Sequence, residues 1–238
     1  MIDVVIPTYG KDTRLRATLG AIDRSQHSDV VRKILVIENG KKHLAEQICT
    51  QFSQLPLRYH HISTQGLVAA RNFGISASDA PYLVFLDDDI SVTEDFFIGY
   101  AKSILKHGEG FFFGGPLLAE YEKPPPEWLI KYLPWSAKDY HPASNPDETS
   151  NPIFLGGNMC VSRASLHEVG GYEGLGASGS NSGGVGEENR LQQRLVQLGY
   201  RGICVTSALG HHWVPVDRCS EKFIAQRQRR HAYTEAFY

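Results

Sequence analysis

Residues 82–90 read YLVFLDDDI: a run of apolar side chains leads directly into three consecutive carboxylates. The apolar part, YLVFL, has the length and composition of a strand buried on both faces, which belongs in a sheet covered by helices. Asp is a poor strand former and adjacent like charges repel, so Asp87, Asp88 and Asp89 mark a strand end whose charge needs compensation. A bound cation is the first candidate. A solvated turn whose acids cap a helix starting near Thr93 is the plainer one.

The sequence before this stretch alternates strand and helix signals. DVVIPTY (3–9), KILVIENG (33–40) and LRYHHI (57–62) read as strands. Residues 12–25, with Leu15, Leu19 and Ile22 at helical spacing, read as a helix, as do 43–54 and 66–76. Such alternation predicts an α/β fold, a Rossmann-like, mostly parallel sheet flanked by helices. Ligands of these sheets bind beyond the carboxyl ends of the strands. Thr8, Tyr9, Glu38 and Asp87 to Asp89 all fall at such ends, so polar groups from three strands converge on one edge.

The second half is less regular. It predicts a helix over 94–107, a strand broken by Gly-Gly in GFFFGGPLLAE (110–120), and a proline-rich surface excursion over 121–152 containing KPPPEWL. FLGGNMCVSRASL (154–166) returns to a strand and a short helix, and GLGASGSNSGGVG (174–186) is a Gly/Ser-rich loop suited to a mobile lid. A helix is expected over 187–198, stopped by Gly199, and a basic one in EKFIAQRQRRHAY (221–233).

Composition narrows the classes. The 238 residues are 42% hydrophobic and 21% charged with a net charge of -2, so nucleic acid is not expected as a bulk electrostatic partner. The four cysteines are scattered without a C-x-x-C pair, as in a reduced compartment. No basic-then-apolar leader opens the chain, and no apolar run approaches the roughly 20 residues of a membrane span. The expectation is a cytoplasmic protein.

Three enzymatic readings of the triple acid can be weighed on residues alone. A Walker-B strand needs a phosphate-cradling G-x-x-x-x-G-K-[ST], and YGKDT (9–13) is not one. An aspartyl-phosphate phosphatase uses Asp-x-Asp after an apolar strand, with Asp87 as nucleophile, but three strands precede this one. A divalent cation gripping a diphosphate suits the pattern, because Mg²⁺ or Mn²⁺ takes one or two carboxylates and leaves its other positions to phosphate oxygens.

Five segments in order, VVIPTYG (4–10), ILVIENG (34–40), GLVAARNFGISASDAPYLVFLDDDI (66–90), FLGGNMCVSRASLHEVGGY (154–172) and GEENRLQQRLVQLGY (186–200), resemble family 2 glycosyltransferases. The resemblance covers nearly the whole chain. It implies a GT-A fold, a nucleotide-diphospho-sugar donor, a divalent cation (Mn²⁺ or Mg²⁺) and inversion at the anomeric carbon. By that resemblance Pro7, Thr8 and Tyr9 lie beside the donor base, and Glu38, where the family more often has Asp, contacts base or ribose. Arg71 stands near the diphosphate; Asp87 or Asp88 faces ribose and sugar; and Asp89, with Asp87, holds the cation. Glu188 is the general base, with Glu187 as the spare candidate, and its place on a helix's first turn is expected to keep it ionised. Gly156, Gly157 and Asn158 form an acceptor-side loop, Trp128, Trp135 and Tyr132 are candidates for stacking on acceptor sugars, and His212 or His211 completes the metal shell. In the C-terminal basic helix, Gln226 to Arg230 faintly resembles the Q-x-x-R-W of processive synthases, without the Trp, and the helix suits phosphates or an acidic lipid surface.

The sequence thus predicts a single GT-A domain over 1–238, with a donor half to about residue 115 and an acceptor and base half beyond. It transfers a sugar, UDP being the expected nucleotide, to a glycan or lipid-linked hydroxyl. A catalytically inactive relative that binds nucleotide or glycan is the alternative.

Overall fold

The structure, a computed structural model, describes residues 1–10, 14–40, 43–142, 153–174 and 185–237. The elements β1 (Ile2–Thr8), α1 (Arg14–Arg24), β2 (Val31–Glu38), α2 (Leu44–Cys49), β3 (Leu57–His61), α3 (Leu67–Ala77) and β4 (Tyr82–Leu86) follow the expected alternation. Then come β5 (Ile90–Val92), α4 (Phe96–His107), β6 (Phe111–Gly114), β7 (Leu117–Tyr121), α5 (Glu127–Ile130), β8 (Asn158–Ser162) and α6 (Arg163–Glu168). The chain continues through α7 (Glu187–Gln197), β9 (Arg201–Cys204), β10 (Gly210–Val214) and α8 (Glu221–Phe237). Among the described residues no helix is long and apolar enough to cross a membrane.

The main sheet has seven strands in the order β3-β2-β1-β4-β8-β6-β9, parallel from β3 to β4 and mixed beyond, with β8 antiparallel to both β4 and β6. Its strands are apolar on both faces because each face has its own core. Val4, Ile6, Val84 and Leu86 pack on one side, and Val5, Leu35, Ile37, Leu83 and Phe85 on the other. Each such side chain contributes roughly 1.5–3 kcal/mol by its burial. α3 lies unusually close to β1, since a Cβ at Gly74 would stand only 2.4 Å from a methyl of Val5.

A second sheet, β5-β10-β7, stands beside the first. The strand expected over 110–120 is therefore two, broken at Gly115-Pro116 and assigned to different sheets. The proline-rich excursion is likewise more ordered than expected: Leu129, Leu133 and Ala137 pack on Val214 of β10, and Tyr140 pairs with Leu117. Residues 143–152 of the excursion lie outside the described residues, as do 175–184 of the expected lid.

This topology answers the question posed by the acids. Asp87, Asp88 and Asp89 are the link by which the chain leaves β4 in one sheet and enters β5 in the other, turning with a hydrogen bond from the Ile90 amide to the Asp87 carbonyl (3.3 Å). They lie beside the switch point of the sheet, where β1 has β2 on one flank and β4 on the other.

Candidate active site

The three acids face a cavity of about 850 Å³ whose walls come from both sheets. Pro7, Thr8 and Tyr9 line it from the end of β1, Asn39 from the end of β2, and Gly156 and Gly157 from the segment before β8. Register explains the glycines' placement: β8 pairs with β4 through Leu86 and Asn158, so Gly157 falls opposite Asp87. α7 delivers Glu187 and Glu188 to the same cavity, pinned there by Gln192, which hydrogen-bonds both the amide (2.7 Å) and the carbonyl (2.9 Å) of Phe154. α8 closes one side with Phe223, Ile224, Arg227 and Arg230.

Each acid is held differently. Asp87 Oδ1 accepts from Arg71 Nη2 at 3.0 Å. Asp88 accepts from the Thr8 hydroxyl through its side chain and from the Thr18 hydroxyl (3.0 Å) through its carbonyl. Asp89 meets His212 Nε2 at 3.2 Å and Arg218 Nη1 at 3.5 Å. Burial by itself would push the Asp89 carboxyl up, yet His212 and Arg218 hold it below the ordinary carboxylate range. Burial also opposes the charge on His212, and the Asp89 carboxylate outweighs it, raising the imidazole's proton affinity. Strand alternation selects this histidine: of the two adjacent in β10, His212 is buried on the cavity side, whereas His211 points the other way and lines no part of the cavity.

Glu187 and Glu188 also diverge. Glu187 is buried and accepts from Arg71 Nη1 at 3.0 Å. Glu188 lines the cavity, and its carboxyl is pushed up to about 8 by burial first and then by the charge of Glu187, against the pull of Arg71 and Arg227. The expectation that a first-turn acid stays ionised beside the helix dipole is corrected here. Desolvation and a like charge next door exceed the dipole's effect.

Among the described residues no group of three or more His, Cys, Asp or Glu is placed to hold a metal by protein ligands alone. The Asp89–His212 pair is nevertheless spaced as two neighbouring ligands would be. With bonds of about 2.1 Å, cis ligands of an octahedral cation stand about 3.0 Å apart.

Residues 3–170 match the family model described as Glycosyl transferase family 2. The chain belongs to glycosyltransferase family 2. GlyA of Streptococcus pneumoniae serotype 4, a glycosyltransferase, is 29% identical over 108 residues, which are 44% of this chain and 15% of GlyA. The first 349 residues of S. aureus TarS superpose with a TM-score of 0.68 at 13% identity, covering 89% of this chain and 60% of that one. GalNAc-T7, in a crystal structure with UDP, GalNAc and Mn²⁺, gives a TM-score of 0.67 at 17% identity, covering 90% of this chain and 44% of its own. The chain thus spans under two thirds of each of these proteins. At such identities the structural likeness establishes the GT-A fold, with its Rossmann-like sheet and the smaller sheet beside it.

Several residues of this family 2 chain sit elsewhere than the resemblance implies. Glu38 is fully buried outside the cavity lining: its carboxylate caps α2 by accepting from the amides of Leu44 (3.0 Å) and Ala45 (3.1 Å), and accepts from the Tyr59 hydroxyl at 2.8 Å. A contact to base or ribose is not open to it, and Asn39 takes its place on the wall. Asn158 is fully buried too, donating to the carbonyls of Pro116 (3.1 Å) and Ala208 (2.8 Å) and accepting from Tyr100 at 2.5 Å. It joins strands and does not reach an acceptor. Gly156 and Gly157 do line the cavity, but their missing side chains make room for protein: a Cβ would stand 2.8 Å from Arg71 at the first and 2.6 Å from Asp87 at the second. Trp128 is 56% exposed on α5 and lines no part of the cavity, whereas Tyr132 and Trp135 do. Arg218 and Asn39 escaped the sequence reading; the signal for Asn39 was its place after β2, and for Arg218 there was none.

Proposed function

We propose that this chain is an inverting glycosyltransferase that moves a sugar from a nucleotide-diphospho-sugar, with UDP as the nucleotide, to a hydroxyl of a glycan or lipid-linked acceptor. The observation that carries the reading is that Asp89 with His212, and Glu188, face the same cavity from different elements. Asp89 and His212 would hold a divalent cation, which when bound stabilises the diphosphate as a leaving group. Asp89 stays ionised for that task because His212 and Arg218 compensate its burial.

The rest is done by this chain's own groups. Tyr9, Pro7 and Asn39 form the wall where a base fits, and Thr8 fixes Asp88 toward the sugar end. Glu188 takes the proton of the acceptor hydroxyl as that oxygen attacks the anomeric carbon, while the bond to the diphosphate breaks on the opposite face. One base and one displacement invert the centre. Tyr132 and Trp135 offer aromatic surface to an acceptor sugar at the cavity's edge. TarS has been solved with UDP and with UDP-GlcNAc, and GalNAc-T7 with UDP and Mn²⁺, which supports the choice of donor and cation here. A cytoplasmic site of action, with the exposed Lys222 and Arg229 of α8 toward acidic lipid, belongs to the same proposal.

Titration calorimetry of UDP, GDP and dTDP, each with Mn²⁺ and with EDTA, tests it. Binding of UDP that needs Mn²⁺ is expected. No binding of any nucleotide under either condition sinks the donor reading, and binding without UDP release from any UDP-sugar leaves only an inactive relative.

A further inference from the structure

Arg71 occupies the place where the donor side and the base side of the cavity meet. It projects from α3 with 1% of its surface exposed. Its two terminal nitrogens serve different carboxylates, Nη2 donating to Asp87 and Nη1 to Glu187, each at 3.0 Å. The guanidinium lies 5.1 Å above the ring of Tyr172, and Gly156 closes another side, where a Cβ would stand 2.8 and 2.9 Å from the terminal nitrogens. Its partners belong to the end of β4 and to the first turn of α7, 16 and 116 residues away in the chain.

The geometry points to Arg71 as a positioning residue: an internal strut that fixes Glu187, and with it the adjacent Glu188, at a set distance from Asp87, and that makes no contact with donor phosphate. The inference rests on the proposed transfer reaction for its consequence, and on the ion pairs for its geometry. A forked guanidinium can address two carboxylates at once, which the single ammonium of Lys does poorly. Without the forked guanidinium, buried Glu187 would lose its hydrogen-bonded tie to the end of β4 while still facing Glu188, and α7's first turn would shift. A base misplaced by about 1 Å costs on the order of 100-fold in rate.

Arg71→Lys separates this role from a phosphate contact. The probes are UDP binding by calorimetry in Mn²⁺, and hydrolysis of UDP-GlcNAc, in which water stands in for the acceptor hydroxyl. The expected result is UDP affinity at the wild-type value with kcat lowered about 100-fold. A loss of UDP affinity in step with kcat makes Arg71 a phosphate contact and overturns the proposal, as does an unchanged kcat. Thermal unfolding of Arg71→Lys, Glu187→Gln and the double variant supplies a readout independent of activity. Losses in Tm smaller than additive support the strut, and additive losses refute it. If the wild-type enzyme binds no nucleoside diphosphate and hydrolyses no donor, the transfer reading falls separately, and the unfolding cycle still decides the strut.

Discussion

Glu188 is the residue whose environment most alters its ordinary chemistry. With its carboxyl raised to about 8, most copies are protonated at neutral pH, and only the ionised form can accept a proton. Donor hydrolysis is therefore expected to rise about tenfold per pH unit below about pH 8 and to level off above it. A flat profile between about pH 6 and 9 would remove Glu188 from the base role. Glu188→Gln should keep UDP binding and lose about 10²–10⁴ in kcat. Stability carries a second sign. The unfolded glutamate titrates near about 4.3, so folding is favoured most below that pH and loses stability as pH rises toward about 8, because the folded state holds a proton that the unfolded state has released. Melting curves from about pH 5 to 8.5 should show this decline in the wild type and a smaller one in Glu188→Gln. The sequence marks Glu188 by its place at the start of an amphipathic helix. It gives no sign of the raised proton affinity, which arises from burial in the folded chain and the charge of Glu187 and persists against the opposing pull of Arg71 and Arg227.

At the scale of elements, two contacts hold the sheets and helices in the register that the site needs. Asn158 ties β8 to the carbonyls of Pro116 and Ala208 and to Tyr100 on α4, with every partner buried or in a strand link. Asn158→Ala leaves those groups unsatisfied, at about 1–3 kcal/mol for each one that water cannot reach. Urea unfolding should report a loss of that order, and a change below about 0.5 kcal/mol would mean that water replaces the amide. Gly74→Ala would press a methyl into Val5 and is expected to cost about 1–3 kcal/mol, less the gain of up to about 1 kcal/mol in helix propensity. The β-α alternation of the first half was legible because its apolar periods are long and β1, β2 and β3 pair in succession. β5, with three residues, and the division of 110–120 between two sheets were not, because partners as remote as β10 decide them. Asn158 shows the same limit within the site: its neighbours Gly156 and Gly157 reach the cavity, while strand pairing turns Asn158 into the core.

Across the whole molecule, the expected division near residue 115 into a donor half and an acceptor half does not divide the fold. β4 of the first half is covered by β8 of the second, and β6, which ends at Gly114, lies between β8 and β9. The two cores likewise run under strands from both halves, with Val84, Phe113, Cys160 and Ile203 in one cluster. A chain cut at residue 115 would expose the edge of β4 along its apolar strand and leave β6 without either neighbour, which favours aggregation. The full chain is expected to unfold in one cooperative transition, with equal calorimetric and van't Hoff enthalpies. UDP with Mn²⁺ at about 100 times its dissociation constant should stabilise that one transition by about 2.7 kcal/mol, because the ligand bridges strand ends that melt together. Two resolved transitions, only one of them shifted by UDP and Mn²⁺, would instead make the donor half an independent folding unit.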